Sequence, residues 1–182
     1  MAEGSKQEIM EATYKALSKH GYADLSIQRI ADECDKGKSL IYYHYEDKQD
    51  LMLSFIDYMQ KALEASHREI MDLPQDQQMD RMLELSLGIE DDERWNFQKA
   101  LVELRAQSAH DEEFAEKFKE MDDLAYSKFQ QILENRGLND PEIVEIVLSS
   151  VDGAVGRKVA TLDREGLKEM KENLKNLVTS LE

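Results

Sequence analysis

Between Leu25 and Leu51 the chain leaves room for little except two short helices joined by a turn. Ser26 stands just ahead of the apolar run Ile27, Ile30, Ala31 and Cys34, the place of a helix N-cap. Gly37 occupies the turn, where a residue without Cβ is cheapest. Lys38-Ser-Leu-Ile-Tyr-Tyr-His44 then gathers a cation, a hydroxyl, two phenols and an imidazole into one short helix. A long amphipathic helix starts near Asp47 or Lys48. This is the plan of a helix-turn-helix DNA reader, whose second helix enters the major groove.

The same segment resembles the DNA-binding region of the TetR/AcrR family of transcriptional regulators. The resemblance rests on Gly21-Tyr22, Leu25-Ser26-Ile27, Ile30-Ala31, Ile41-Tyr42-Tyr43-His44-Tyr45, Lys48 and Leu51, and covers roughly residues 5–53. It departs from the family where Asp35 and Lys36 replace small or apolar residues, Gly37 replaces Ser, and Ser39 replaces Gly or Ala. The resemblance implies two domains. Residues 1–46 would form the reader, and residues 47–182 a helical domain that binds an effector and dimerises. Within the family, Ala100-Leu-Val-Glu-Leu-Arg-Ala-Gln-Ser-Ala109 and the Asp-Glu-Glu-Phe after it look most like a BetI-type C-terminal domain.

The reading helix gives the DNA contacts their first candidates. Lys38 suits a guanine edge or a phosphate, Ser39 allows close approach, and Leu40 suits a thymine methyl. Tyr42, Tyr43 and His44 are placed toward backbone and groove by the resemblance. Lys48, at a helix N-terminus, is a phosphate contact, and Ser26 and Gln28 are further ones. Lys36 adds local positive charge. Ile41 and Tyr45 are assigned to the core, and Tyr42 has a core alternative with its hydroxyl at the surface.

Net charge is −16, which phosphate repels. Residues 1–50 hold seven Lys/Arg against ten Asp/Glu, a net of −3, so −13 falls on the remainder. An acid-rich surface is either ordinary solvation or an adaptation to high salt, where the Debye length shrinks to ~3 Å at 1 M.

Nearly every other segment carries a helical period, and no strand pattern or internal repeat is visible, so the expected fold is all-α with about nine helices. Expected spans are about 5–20, 27–34, 38–44, 48–71, 76–87, 94–108, 111–136, 141–160 and 165–181. Pro74, Gly88, Gly137 and Asp140-Pro141 punctuate them. A hydrophobic content of 41% supports a core. No run reaches the ~18 apolar residues of a membrane span, and no leader is visible. One cysteine, Cys34, lies on an apolar stripe and fits a small core residue in a reducing cytoplasm.

Other chemistries are poorly served. Asp35-Lys-Gly-Lys-Ser39 would need a glycine at Asp32 to cradle phosphates. Glu64-Ala-Ser-His67 has the spacing of half a di-iron site, but the residue three before His110 is Gln107, which leaves a surface pair as the expected role. No zinc set or nucleophile motif is present, so no metal, cofactor or enzymatic activity is expected.

The second half offers Met82, Trp95, Phe97, Leu101, Leu104, Phe118, Met121 and Tyr126 as cavity-lining candidates, with an ordinary core as the competing reading. Val144, Val147, Val151, Val155, Leu174 and Leu177, in the last two helices, are candidates for a homodimer interface, because in the family those helices meet their mates in a four-helix bundle. The expected function is a dimeric regulator, a repressor that binds a palindromic duplex and is released by an unidentified small molecule. Two alternatives stand beside it: a regulator without a ligand site, controlled by a protein partner or by concentration, and an all-α enzyme using buried carboxylates.

Overall fold

Capping side chains set where the helices begin. Ser26 Oγ accepts from Arg29 N at 3.2 Å to open α2 (Ile27–Asp32), after α1 (Ala2–His20) has ended at Gly21 with φ +73°. Gly37, at φ +72°, precedes α3 (Lys38–His44). Asp47 accepts from Asp50 N at 2.9 Å to start α4 (Lys48–Met71), while Asp50 reaches back to Glu46 N at 3.0 Å. Such reciprocal bonds satisfy amides that would otherwise be orphaned. Pro74 stops that run, and α5 (Gln75–Leu87) follows, closed by left-handed Gly88. Asp91, Asp111, Asp140 and Asp163 then cap α6 (Asp92–Arg105), α7 (Glu112–Asn135), α8 (Pro141–Ala160) and α9 (Arg164–Ser180).

The computed structural model describes residues 2–34 and 37–181. Lys36, one of the DNA-contact candidates, lies outside the described residues. Among those described there are nine α-helices and no strand. The boundaries differ from the sequence reading at three helices: α1 begins about three residues earlier, α2 ends about two residues earlier, and α6 begins two residues earlier, with its last turn tightened into a 3-10 segment, Ala106–Ala109.

Two apolar cores divide the chain. The first joins Ile9, Leu17, Ile30 and Ile41 of the head to Leu51, Met52 and Phe55 of α4. It also takes in Phe97, Ala100 and Leu104 of α6 and Phe114 and Phe118 of α7. The head therefore does not close on itself. It is seated on α4, α6 and α7. The second core joins α5, α7, α8 and α9 through Met82, Leu83, Phe129, Val147, Val151 and Leu174. Lys171 and Lys175 tie α9 to α5, with Lys175 Nζ 2.8 Å from Asp80 and Lys171 Nζ 3.0 Å from Glu84. Burial alone would raise the Asp80 carboxyl, but the hydrogen bonds from Lys175 and Lys171 outweigh it and hold the pKa below the ordinary value.

His67 departs from its expected place at the surface. It is buried, and burial together with the nearby Lys128 charge lowers its pKa. Cys34 is buried in the head core.

Candidate functional site

Helical spacing splits α3 into two faces. Lys38, Ser39, Tyr42 and Tyr43 fall on one arc, and all four are exposed, Tyr43 by 80% and Tyr42 by 57%. A phenol so exposed contributes little to the fold, because its ring is left in water. Ile41 and Tyr45 are buried on the opposite side. Leu40 also turns inward and packs, half-buried, on the head core, so it is not on the open face where a thymine contact would need it.

His44 is half-buried, with Nε2 2.8 Å from Ser5 Oγ, which fastens the end of α3 to α1. Lys48 is held more closely than expected. Its ammonium sits 4.2 Å from the centroid of the Tyr22 ring and donates to the Tyr22 carbonyl at 3.3 Å. Burial pushes its pKa down. Reaching a phosphate would require it to leave the Tyr22 carbonyl. Ser26 and Gln28 are exposed, although Ser26 is committed to its cap and Gln28 donates to Asp32 at 2.5 Å.

A second feature lies below the head. Helices α4, α6, α7 and α8 enclose a cavity of about 780 Å³, reached through an open side. That is a volume typical of small-molecule sites. Phe97, Leu101 and Met121 line it. Met82, Trp95, Leu104, Phe118 and Tyr126 do not, which corrects the sequence reading. Leu104 and Phe118 are used in the head core, Met82 is fully buried in the second core, and Trp95 and Tyr126 pack beside that core. An apolar period reports burial and does not report which side of the helix meets empty space.

Several lining residues escaped the sequence reading. Tyr14 of the head reaches the cavity and stacks on Phe97 with ring centroids 4.5 Å apart. Its hydroxyl pKa is raised by burial, against the opposing Arg94 charge. Arg105 and Asp122 pair at 2.5 Å on the wall. Asp152 of α8 stands at the mouth, reachable by water yet crowded by protein. That crowding raises its carboxyl pKa, with Arg105 opposing and Asp122 and Glu145 adding to the rise. The available signal was a lone acid between Val151 and Gly153 in an otherwise apolar stretch.

Helix α6 stands between cavity and head. Gln98, Leu101 and Val102 face the cavity, while Ala100 and Leu104 enter the head core. Glu103 Oε2 accepts from the backbone amides of Tyr22 at 2.8 Å and Ala23 at 3.0 Å, which clamps the turn ahead of α2.

The reading helix, seated on a helical body with an internal cavity, is matched by known proteins. The profile of bacterial regulatory proteins of the tetR family matches residues 9–55. A TetR transcription regulator from Haloarcula marismortui superimposes with a TM-score of 0.83 at 29% identity, over 98% of each chain. This chain is a TetR/AcrR-family transcriptional regulator. A relative of the regulator along most of its length is the HTH-type transcriptional repressor AcnR of Corynebacterium efficiens, 24% identical over 91% of this chain and 88% of that one. A protein from Saccharomonospora viridis solved in complex with choline shares 18% identity at a TM-score of 0.77, over 97% and 96% of the two chains, a likeness of fold alone. The regulator's relatives are regulators of transcription, not enzymes. Among the described residues no helix is long and apolar enough to cross a membrane.

Proposed function

We propose that the regulator is a cytoplasmic repressor that binds a palindromic duplex as a homodimer and is released when a small molecule enters the cavity. The observation that carries this reading is the cavity itself, placed against the helix that grips the head. The neighbour that holds choline supports a ligand in this fold. Lys38, Ser39, Tyr42 and Tyr43 would meet the duplex, with Ser26, Gln28, His44 and Lys48 flanking them. A ligand that spreads α4 and α6 would change the separation of two heads that must otherwise sit ~34 Å apart to reach successive major-groove faces. It must bind the spread state more tightly, or it shifts nothing.

The dimer surface needs a different set of residues from the one the sequence suggested. Val144, Val147, Val151, Val155 and Leu174 are buried within one subunit, at 6% exposure or less. They serve its own core, and only Leu177 of the original set remains open, at 42%. The outer face of α8 instead presents Ile146 at 55%, with Ser149 and Gly153 at helical spacing after it, and Leu181 at the end of α9 is open at 46%. A Cβ on Gly153 would meet only Arg157, at 3.7 Å, so nothing inside the subunit calls for glycine there. A mid-helix glycine costs about 1 kcal/mol relative to alanine, and close approach of a partner helix would account for it.

The reading is tested by selecting bound sequences from a random duplex library at several salt concentrations. A two-fold symmetric site with half-sites about 10 base pairs apart is expected, and the absence of any enriched sequence would overturn it. On the selected duplex, Tyr43→Ala should weaken binding about tenfold, the loss of one good contact. Thermal unfolding of that variant should match the parent, because the ring is 80% exposed. A large fall in melting temperature would place Tyr43 in the fold and not at the duplex.

The acid-rich surface leads to a separate expectation. With a net charge of −16, self-repulsion should be screened by salt. The melting temperature should rise by at least about 5 °C between 0.1 and 2 M KCl, a gain of about 2 kcal/mol for a chain of this size. No rise would leave ordinary solvation as the explanation.

A further inference from the structure

We infer that the cavity takes an organic cation with an apolar body, an alkylammonium whose charge faces Asp152. The inference rests on the proposed function only in treating this cavity as the effector site.

The ionisable groups of the wall are unbalanced. Asp91, Glu93, Asp122 and Asp152 face Arg94 and Arg105, four carboxylates against two guanidiniums. Both guanidiniums are already engaged. Arg105 lies 2.5 Å from Asp122, and Arg94 Nε lies 3.3 Å from Glu90 Oε2. Asp91 is committed to the N-terminus of α6, accepting from Arg94 N at 2.8 Å. Asp152 makes no hydrogen bond or ion pair among the described residues. It is a carboxylate reachable by water yet crowded by protein, and its one opposing cation, the Arg105 guanidinium, is already paired with Asp122, so its charge is free to meet an incoming cation.

Three ligand classes can be ranked on this basis. An anion would have to take Arg105 from Asp122 or Arg94 from Glu90 while facing the remaining acids. A neutral ligand would fill the space and desolvate Asp152 further without compensating it. A cation pairs with Asp152 and leaves the existing ion pairs in place. The rest of the wall suits the same ligand. Tyr14, Tyr58, Phe97 and Phe129 turn aromatic surface to the cavity, and the negative face of a ring attracts an ammonium, the more so where water is excluded. Leu63, Leu148 and Val151 provide for an alkyl chain. The raised pKa of Asp152 has the same origin, since crowding that disfavours a bare carboxylate favours a paired one.

The test uses three probes that share an alkyl tail and differ in charge: hexyltrimethylammonium, heptanoate and heptan-1-ol. Each is titrated calorimetrically into the 182-residue protein without DNA, alongside Asp152→Asn and Asp76→Asn, the latter an exposed acid on α5. Hexyltrimethylammonium should bind the parent most tightly. Asp152→Asn should lose about tenfold of that affinity, the scale of one partly desolvated charge contact, and Asp76→Asn should lose none. The Asp152→Asn variant should sediment as the parent does. If it dissociates relative to the parent, Asp152 belongs to a subunit contact and the inference falls. It falls equally if heptanoate binds as well as the ammonium, if Asp152→Asn leaves ammonium binding unchanged, or if none of the probes binds. Specific binding of the selected duplex by the same preparation keeps failure here separate from failure of the regulator reading.

Discussion

Replacing Ile146 and Leu177 together by glutamate should convert the proposed dimer to monomers and weaken operator binding by a factor of about 100 or more. Both side chains are large, apolar and open to water in the subunit, at 55% and 42% exposure. Glutamate at these positions therefore perturbs nothing inside the subunit, and helical circular dichroism should persist. In a bundle of α8 and α9 with their mates, each glutamate would bury a charge with no partner. Two-fold symmetry places every substitution in the interface twice. The operator loss follows because each head alone binds weakly, and linkage is what lets the second head bind as if at high local concentration. The comparison pair is Val151→Glu with Leu174→Glu. Those residues are 3% exposed and belong to the subunit core, so that variant should unfold and not merely dissociate. Sedimentation and circular dichroism of both pairs separate the two results. A folded dimer carrying Ile146→Glu and Leu177→Glu would move the interface off this face.

The contrast between these pairs shows which parts of the molecule could be read from its sequence. Helix starts were legible because a capping side chain acts locally: Ser26, Asp47 and Asp140 each bond an amide two or three residues on. The short helix Lys38–His44 was legible for the same kind of reason, since Gly37 marks the turn directly ahead of it. What the sequence could not settle was which neighbour an apolar stripe meets. Val144, Val147, Val151 and Val155 make a clear stripe, and a stripe demands burial without naming the surface that provides it. The subunit's own α5 and α7 supply it. The outer face, with one isoleucine among small and polar residues, has a weak period although it is the surface left over. The cavity was concealed in a similar way. Leu101 and Leu104 lie one turn apart on α6, and only the packing of four helices puts the first at the void and the second in the head core. The 3-10 turn at Ala106–Ala109 carries no glycine or proline to mark it.

Glu103→Ala should leave ligand binding intact and remove most of its effect on DNA. On α6, Leu101 and Val102 touch the cavity, and Glu103 holds the amides of Tyr22 and Ala23. The clamp is specific, because one carboxylate oxygen serves two amides of the turn that positions α2. A ligand that shifts α6 therefore pulls directly on the head, in addition to any movement of α4. Loss of the clamp costs hydrogen bonds to a charged acceptor, but the residue is exposed, so the expected stability change is small, about 1 kcal/mol. The coupling should suffer more. Coupling free energies between two sites are commonly 1–3 kcal/mol, about 5- to 150-fold in affinity. A compound that lowers operator affinity of the parent at least tenfold should lower that of Glu103→Ala by less than about threefold. Reciprocity supplies a second reading of the same quantity: operator DNA should weaken ligand binding in the parent and barely affect it in the variant. Glu103→Gln keeps an acceptor oxygen and should fall between the two. Amide exchange at Tyr22 and Ala23 should quicken in Glu103→Ala, which shows directly whether the turn has been released. An unchanged ligand response in a variant whose two amides exchange faster would mean that the signal reaches the head through α4 and not through α6.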